Sequence, residues 1–208
     1  MIITLDGPCG SGKSTLAQLI SKKLGFFYLN SGYIYRALGY VLGGDADLEA
    51  VEECFENIVY NPGQILYKGE DITGKLKTNE VSQKAAVISK NKEIRELIDI
   101  YKRGLAQKKG NLIMDGRDGG SVVFPNADYK FYITAPTEVR AKRLVEDYQR
   151  RFDKELLYED AYNNIYSRDE SDKTRKYGRL VKPEGCIVID TSDMDVEETL
   201  EKVIGFIN

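Results

Sequence analysis

Residues 7–15 read Gly-Pro-Cys-Gly-Ser-Gly-Lys-Ser-Thr, directly behind the apolar run Ile2, Ile3, Thr4, Leu5. This pattern, G-x-x-x-x-G-K-[ST], constrains the fold more than any other stretch. It asks for a buried strand, a tight glycine-rich turn and a helix that opens at the lysine, and Leu16, Leu19, Ile20 and Leu24 follow at helical spacing. In that arrangement successive backbone N–H groups surround a phosphate chain. Gly10 and Gly12 allow conformations and approaches that a Cβ would block, Lys13 reaches the outer phosphates, and the Ser14 hydroxyl is a ligand for Mg²⁺. The helix dipole favours the anion further. Gly7, Cys9, Gly10, Ser11, Gly12, Lys13, Ser14 and Thr15 are therefore expected to bind the phosphates of a nucleotide.

Beyond the loop, apolar β-type runs alternate with helical stretches, which predicts an α/β fold of three layers: a five-stranded parallel sheet with helices on both faces. The expected strands are 2–5, 26–29, 112–114, 130–134 and 186–189. Helices are expected at 13–24, 34–41, 48–55, 81–108, 138–152, 156–167 and 196–207. Ligands should gather at the carboxyl edge of such a sheet. Residues 64–77, with Lys68-Gly69-Glu70-Asp71 and Gly74, break the alternation and read as a small β hairpin or three-stranded insert, a surface excursion rather than core. We expect one domain over 1–208, with the insert at 58–78 and a mobile lid region at 153–182.

Composition narrows the function. A net charge of −3 argues against general affinity for nucleic acid or acidic membranes, and no apolar stretch is long enough to span a bilayer. With the first strand expected at residue 2, no signal peptide is expected. Cys9, Cys54 and Cys186 are widely spaced and suggest neither disulfides nor zinc, so a cytoplasmic location is expected. Positive charge gathers at 168–182 and in the cluster Arg140, Lys142, Arg143, Arg150 and Arg151. We expect the first to handle phosphates and the second to be a solvated helix face.

Three further segments carry chemistry. After the second strand, Ser31-Gly32-Tyr33-Ile34-Tyr35-Arg36 offers a second phosphate pocket, Arg36 clamping an anion with two N–H groups. After the third comes Asp115-Gly116-Arg117-Asp118-Gly119-Gly120, where Asp115 can hold Mg²⁺, Arg117 a phosphate and Asp118 an amino group. The cluster Arg168-Asp169-x-x-Asp172-x-x-Arg175 reads as a mobile loop between helices, able to close over phosphates and exclude water.

At these points, and nearly end to end, the chain resembles the cytidylate kinases. The run Gly116-Arg117-Asp118-Gly119-Gly120-Ser121-Val122-Val123-Phe124-Pro125 and the insert Gly69-Glu70-Asp71-Ile72-Thr73-Gly74 carry the resemblance more specifically than the phosphate loop does. The resemblance implies a P-loop kinase fold and transfer of the ATP γ-phosphoryl to the phosphate of CMP or dCMP with Mg²⁺; a monomer is expected, although the sequence carries no signal of oligomeric state. It assigns Ser31, Arg36 and Arg117 to the acceptor phosphate, Arg95 and Asp118 to cytosine, and Arg168, Asp172 and Arg175 to the sugar and the transferring phosphates. Lys13, Arg117, Arg168 and Arg175 would be catalytic, and Ser14 and Asp115 would face the metal. The sequence departs from the family at Ala86, where a serine commonly helps read the base, at Tyr33, where a small residue is usual, and at Gly119, where a larger apolar residue is usual. These could reshape the acceptor pocket. The residues themselves leave open a kinase of another nucleotide or small metabolite, or a nucleotide-binding regulatory protein. Intact Lys13, Ser14, Asp115 and lid arginines argue against the regulatory reading. The chain has no histidine, which suits an acceptor phosphate that is already ionised at neutral pH.

Overall fold

The computed structural model describes residues 1–61 and 63–207, with Arg151 and Phe152 described through their backbone alone. Pro62 of the expected insert and the Arg151 side chain of the basic cluster thus lie outside the described residues.

The chain runs β1 (Ile2–Asp6), α1 (Lys13–Leu24), β2 (Phe27–Asn30), α2 (Ser31–Val41), α3 (Leu48–Asn57), then a small sheet of β3 (Ile58–Asn61), β4 (Gln64–Tyr67) and β5 (Glu70–Asp71). There follow α4 (Asn79–Ile88), α5 (Lys92–Lys109), β6 (Leu112–Asp115), β7 (Tyr129–Thr134), α6 (Thr137–Phe152), α7 (Tyr158–Thr174), β8 (Ile187–Asp190) and α8 (Val196–Ile204). The main sheet has the order β2-β6-β1-β7-β8, and each of its pairings is parallel.

Period-two side-chain direction splits each strand between two cores. Leu112 and Met114 face one way, into a cluster with α2, α4 and α5; Ile113 faces the other, with Ile3, Leu5, Phe131 and Ile133, against Leu16, Ala17 and Ile20 of α1. Burying each such aliphatic or aromatic side chain stabilises the fold by about 1.5–3 kcal/mol. In helix α1, Leu16 and Ile20 of the expected apolar positions are buried, together with Lys13 and Ala17, while Leu19 and Leu24 are half-buried; Gly25 ends the helix in the left-handed region at φ 69°.

Three expectations change. The helix expected over 81–108 is two, because Ser89-Lys90-Asn91 breaks it: Ser89 caps α4, and the Asn91 side chain accepts from Ile94 N–H at 3.1 Å to start α5. The helix expected to end at Ser167 continues through Thr174, so Arg168 and Asp172 stand on a helix and not on a loop, with Arg175 just past its end. Apolar periodicity stops at Ile165, but the pairs Glu170–Lys173 and Asp172–Arg175 support the charged final turns. The insert, expected at the surface, buries Ile58, Tyr60, Ile65, Ile72 and Leu76 in the first core: the pleat of β3 and β4 turns Ile58, Tyr60 and Ile65 inward, and the short 3-10 turn at Thr73–Lys77 that follows β5 carries Leu76 in beside Ile72.

Candidate active site at the carboxyl edge of the sheet

β1, β2, β6 and β8 end one residue beyond their apolar runs, at Asp6, Asn30, Asp115 and Asp190. The polar groups thus line one edge, with the glycine-rich loop leaving it first. Gly7, Gly10 and Gly12 have φ of 145°, 74° and 84°, and a Cβ on Gly7 would collide with the Ile133 carbonyl oxygen. Ser11 is buried and donates to Pro8 O at 3.1 Å. Lys13 is buried too, its Nζ donating to Pro8 O at 2.5 Å and to Ser11 Oγ at 3.0 Å. Burial, followed by the charge of Arg117, pushes the Lys13 ammonium down to about 7. Ser14 and Thr15 are exposed in the first turn of α1.

Cys9 was expected among the phosphate binders. Its N–H instead goes to Asp169 and its C=O to Arg140, so its backbone frames the loop instead of lining the cradle.

Ser14 Oγ donates to Asp115 Oδ2 in a short hydrogen bond, and Tyr28 Oη donates to Asp115 Oδ1 at 3.1 Å. Burial raises the Asp115 pKa despite these donors and the nearby Lys13. Asn30, whose Nδ2 reaches Tyr28 Oη at 2.9 Å, is tied to the insert by Tyr60, whose Oη bonds both the N–H and C=O of Asn30 at 2.8 and 3.2 Å.

On the other side lie the expected acceptor groups. Ser31 opens α2, buried beside Gly116. Arg36 donates to Leu76 O at 2.9 Å, which joins α2 to the last turn of the insert. Burial and then the charge of Arg168 lower its pKa, so the two guanidinium groups act on one another. Arg168 itself is exposed. Arg95 and Asp118 form a short, almost fully buried ion pair, with the Arg95 guanidinium 5.2 Å from the centre of the Tyr35 ring. Asp172 accepts from Arg117 Nε at 2.7 Å and from Arg175 Nη1 at 2.9 Å. Arg175 Nη2 lies 3.8 Å from Asp118. Arg95 Nε and Arg175 Nη2 are buried donors that make no hydrogen bond. Gly178, at φ 60°, covers the Arg95–Asp118 pair so closely that a Cβ would collide with the Asp118 carboxylate.

The structure corrects the sequence reading in two more places. Gly119, expected to bear on the acceptor pocket, would direct a Cβ onto Asp6, Met114 and Thr4 at 3.1–3.3 Å, into the packing under the sheet edge. Arg140, expected on a solvated face, is buried against the loop. Asp6 had drawn no attention: it accepts from Gly119 N–H and Gly120 N–H at 2.8 and 2.7 Å, and burial raises it to about 6. An acid between a buried strand and the glycine loop was the available signal. Ala86 is exposed on α4, and its methyl offers the base no hydrogen bond.

Comparison with known proteins agrees with this geometry. The fold resembles a solved shikimate kinase from Bacteroides thetaiotaomicron, with a TM-score of 0.55 at 12% identity, over 100% of this chain and 98% of that one. The chain is 40% identical over 207 residues to a cytidylate kinase of Caldanaerobacter subterraneus subsp. tengcongensis, covering 97% of this chain and 92% of that one. It is 36% identical to a cytidylate kinase of Chlamydia caviae, covering 100% and 98%. The family model for cytidylate kinase matches residues 3–208, and the chain belongs to that family of P-loop kinases.

Proposed function

We propose that this member of the family moves the γ-phosphoryl of ATP to the phosphate of CMP or dCMP with the groups described above in distinct roles. The observation that carries the assignment is the second cluster: Arg95–Asp118 and Arg117–Asp172–Arg175 stand beyond the phosphate loop, where a protein that only held ATP would need nothing.

The loop amides and Lys13 bind the β- and γ-phosphates of ATP, and a phosphate in the loop restores the charge of Lys13 that burial disfavours. Ser14 and Asp115 fit Mg²⁺: both present hard oxygens, and the buried carboxylate is stabilised by a cation. No group of three or more acidic, thiol or imidazole ligands exists among the described residues, so the remaining ligands would be phosphate oxygens and water. When bound, the ion neutralises charge on the phosphates being separated. Asp118 accepts from the amino group of cytosine while Arg95 donates to its ring. Arg36 and Arg117, supported by Ser31, hold the acceptor phosphate in line. Arg168 and Arg175 add positive charge as the transferring group becomes most negative. No general base is required, because the second ionisation of a nucleoside monophosphate has a pKa of about 6.

Selectivity is softened at Ala86, where one missing neutral hydrogen bond corresponds to about 0.5–1.5 kcal/mol. The three cysteines are free, which supports work in the cytoplasm. No helix among the described residues is long and apolar enough to cross a membrane.

The test is ADP release with Mg-ATP and each of CMP, dCMP, UMP, AMP and GMP, with Lys13→Ala as control. Lys13-dependent turnover fastest with CMP or dCMP is expected; release with none of the five would overturn the proposal.

A further inference from the structure

The backbone of Cys9 is held on both sides by one ion pair. Its N–H donates to Asp169 Oδ1 at 2.8 Å, and its C=O accepts from Arg140 Nη1 at 2.6 Å. Arg140 Nη1 also donates to Asp169 Oδ2 at 2.6 Å, and both side chains are about nineteen-twentieths buried. Arg140 is fixed in turn by Ala135 O at 2.8 Å and Thr137 Oγ1 at 2.9 Å. The next loop residue packs on the same two helices: a Cβ on Gly10 would lie 3.3 Å from Ile165 Cδ1 of α7 and 3.5 Å from Arg140 Cβ of α6.

If stability were the only role of this pair, apolar packing between α6 and α7 would serve as well, since burying two charges offsets most of their attraction. The hydrogen bonds to Cys9 set this pair apart. They tie the loop at the start of the sheet to a helix 160 residues later in the chain. That helix also bears Arg168 and Asp172, on either side of the latch residue.

We propose that Asp169 and Arg140 form a latch through which the seating of α7 sets the shape of the phosphate loop, which makes them positioning residues for the transfer. With α7 seated, the Cys9 peptide groups are fixed, the amides that follow are aimed at the phosphates, and Arg168 stands over the cleft. With α7 displaced, the Cys9 N–H loses its acceptor and the loop loosens. ATP in the loop and α7 on the loop then favour one another by the same factor, as linkage requires. The seated helix also keeps water from the γ-phosphoryl. This inference rests on the reading that the loop binds ATP.

Asp169→Asn keeps the shape and an acceptor oxygen while removing the charge that faces Arg140. The expected result is a KM for ATP about tenfold higher, a smaller rise of about threefold at most in the KM for CMP, whose groups Asp172 and Arg175 stand on α7 and its end, and a several-fold larger share of ADP formed without CDP. A pair that served stability alone would move both KM values together and leave the ratio of transfer to hydrolysis unchanged; that outcome, or no change at all, overturns the latch. If Asp169→Asn does not fold, Arg140→Lys, which keeps the charge but not the fork, is measured against the same criteria. A wild type that binds a fluorescent ATP analogue but makes no CDP overturns the functional reading instead. The latch is then judged on affinity for the analogue, expected about tenfold weaker in Asp169→Asn, with unchanged affinity overturning it.

Discussion

The two halves of the site are made differently. The donor half is backbone: consecutive residues between Gly7 and Thr15, shaped by three positive-φ glycines, with a single buried cation, Lys13, bent back onto Pro8 O. The acceptor half is side chains gathered from α2, α5, the segment after β6, and α7 with its tail. Apart from Arg168, those charges already have partners in Asp118, Asp172 or the Leu76 carbonyl. On the proposed assignment, the donor half recognises phosphate by the direction of its amides, and the acceptor half recognises its ligand by exchange, since a bound nucleotide must compete with internal partners. That difference suits a kinase in which ATP is common to many enzymes and the acceptor is the specific substrate.

The comparison is tested most severely by charge removal. Lys13→Ala takes away the donor half's only buried cation and should lower kcat by about 10²–10³ with little change in the KM for CMP. A fall confined to the KM for CMP would break the division. Arg95→Ala should act on the other half and on the fold together, because it removes the close partner of buried Asp118 and leaves it the more distant charges of Arg175 and Lys102; a loss of about 3 kcal/mol in urea unfolding is expected. Gly178→Ala is milder. The added methyl meets Asp118 at a left-handed backbone position, a strain of about 1–3 kcal/mol that should appear as a raised KM for CMP with the KM for ATP unchanged.

The smallest effect is protonic. The folded, ligand-free Lys13 titrates near 7, whereas the unfolded chain holds that proton to about 10.4. Its burial therefore weighs against folding below about 7, and stability should rise as pH climbs from there towards 10. ATP binding at pH 8 should take up most of one proton as the ammonium is restored, measured by calorimetry in two buffers of different ionisation enthalpy. Equal heats in both would remove the donor half's dependence on that one cation.

The two halves also differ in how far the sequence discloses them. The donor loop is local, so Gly7 to Thr15, the strand before it and the helix after it could be read from spacing alone. The acceptor groups are far apart in the chain, and the resemblance assigned Arg95 and Asp118 before any contact between them was visible. Apolar runs stop one residue short of the strand ends, whereas the ladder carries Asp6, Asn30 and Asp115 out to the edge where the polar groups gather. The helical form of 168–174 was hidden for the same reason: Arg168-Asp169-Glu170-Ser171-Asp172-Lys173 has no apolar stripe, and its turns are held by pairs of opposite charge. Arg140 resembled a surface residue because the carboxylate that neutralises it lies on another helix.

The cover that Gly178 forms over Arg95 and Asp118 has a kinetic consequence. If the base can reach those groups only after the chain lifts, its entry follows a first-order step whose rate does not depend on how much CMP is present. In stopped-flow mixing, the observed rate should rise with CMP and then level off. The plateau would report how often the tail lifts, and Gly178→Ala, which cannot seat fully, should raise it.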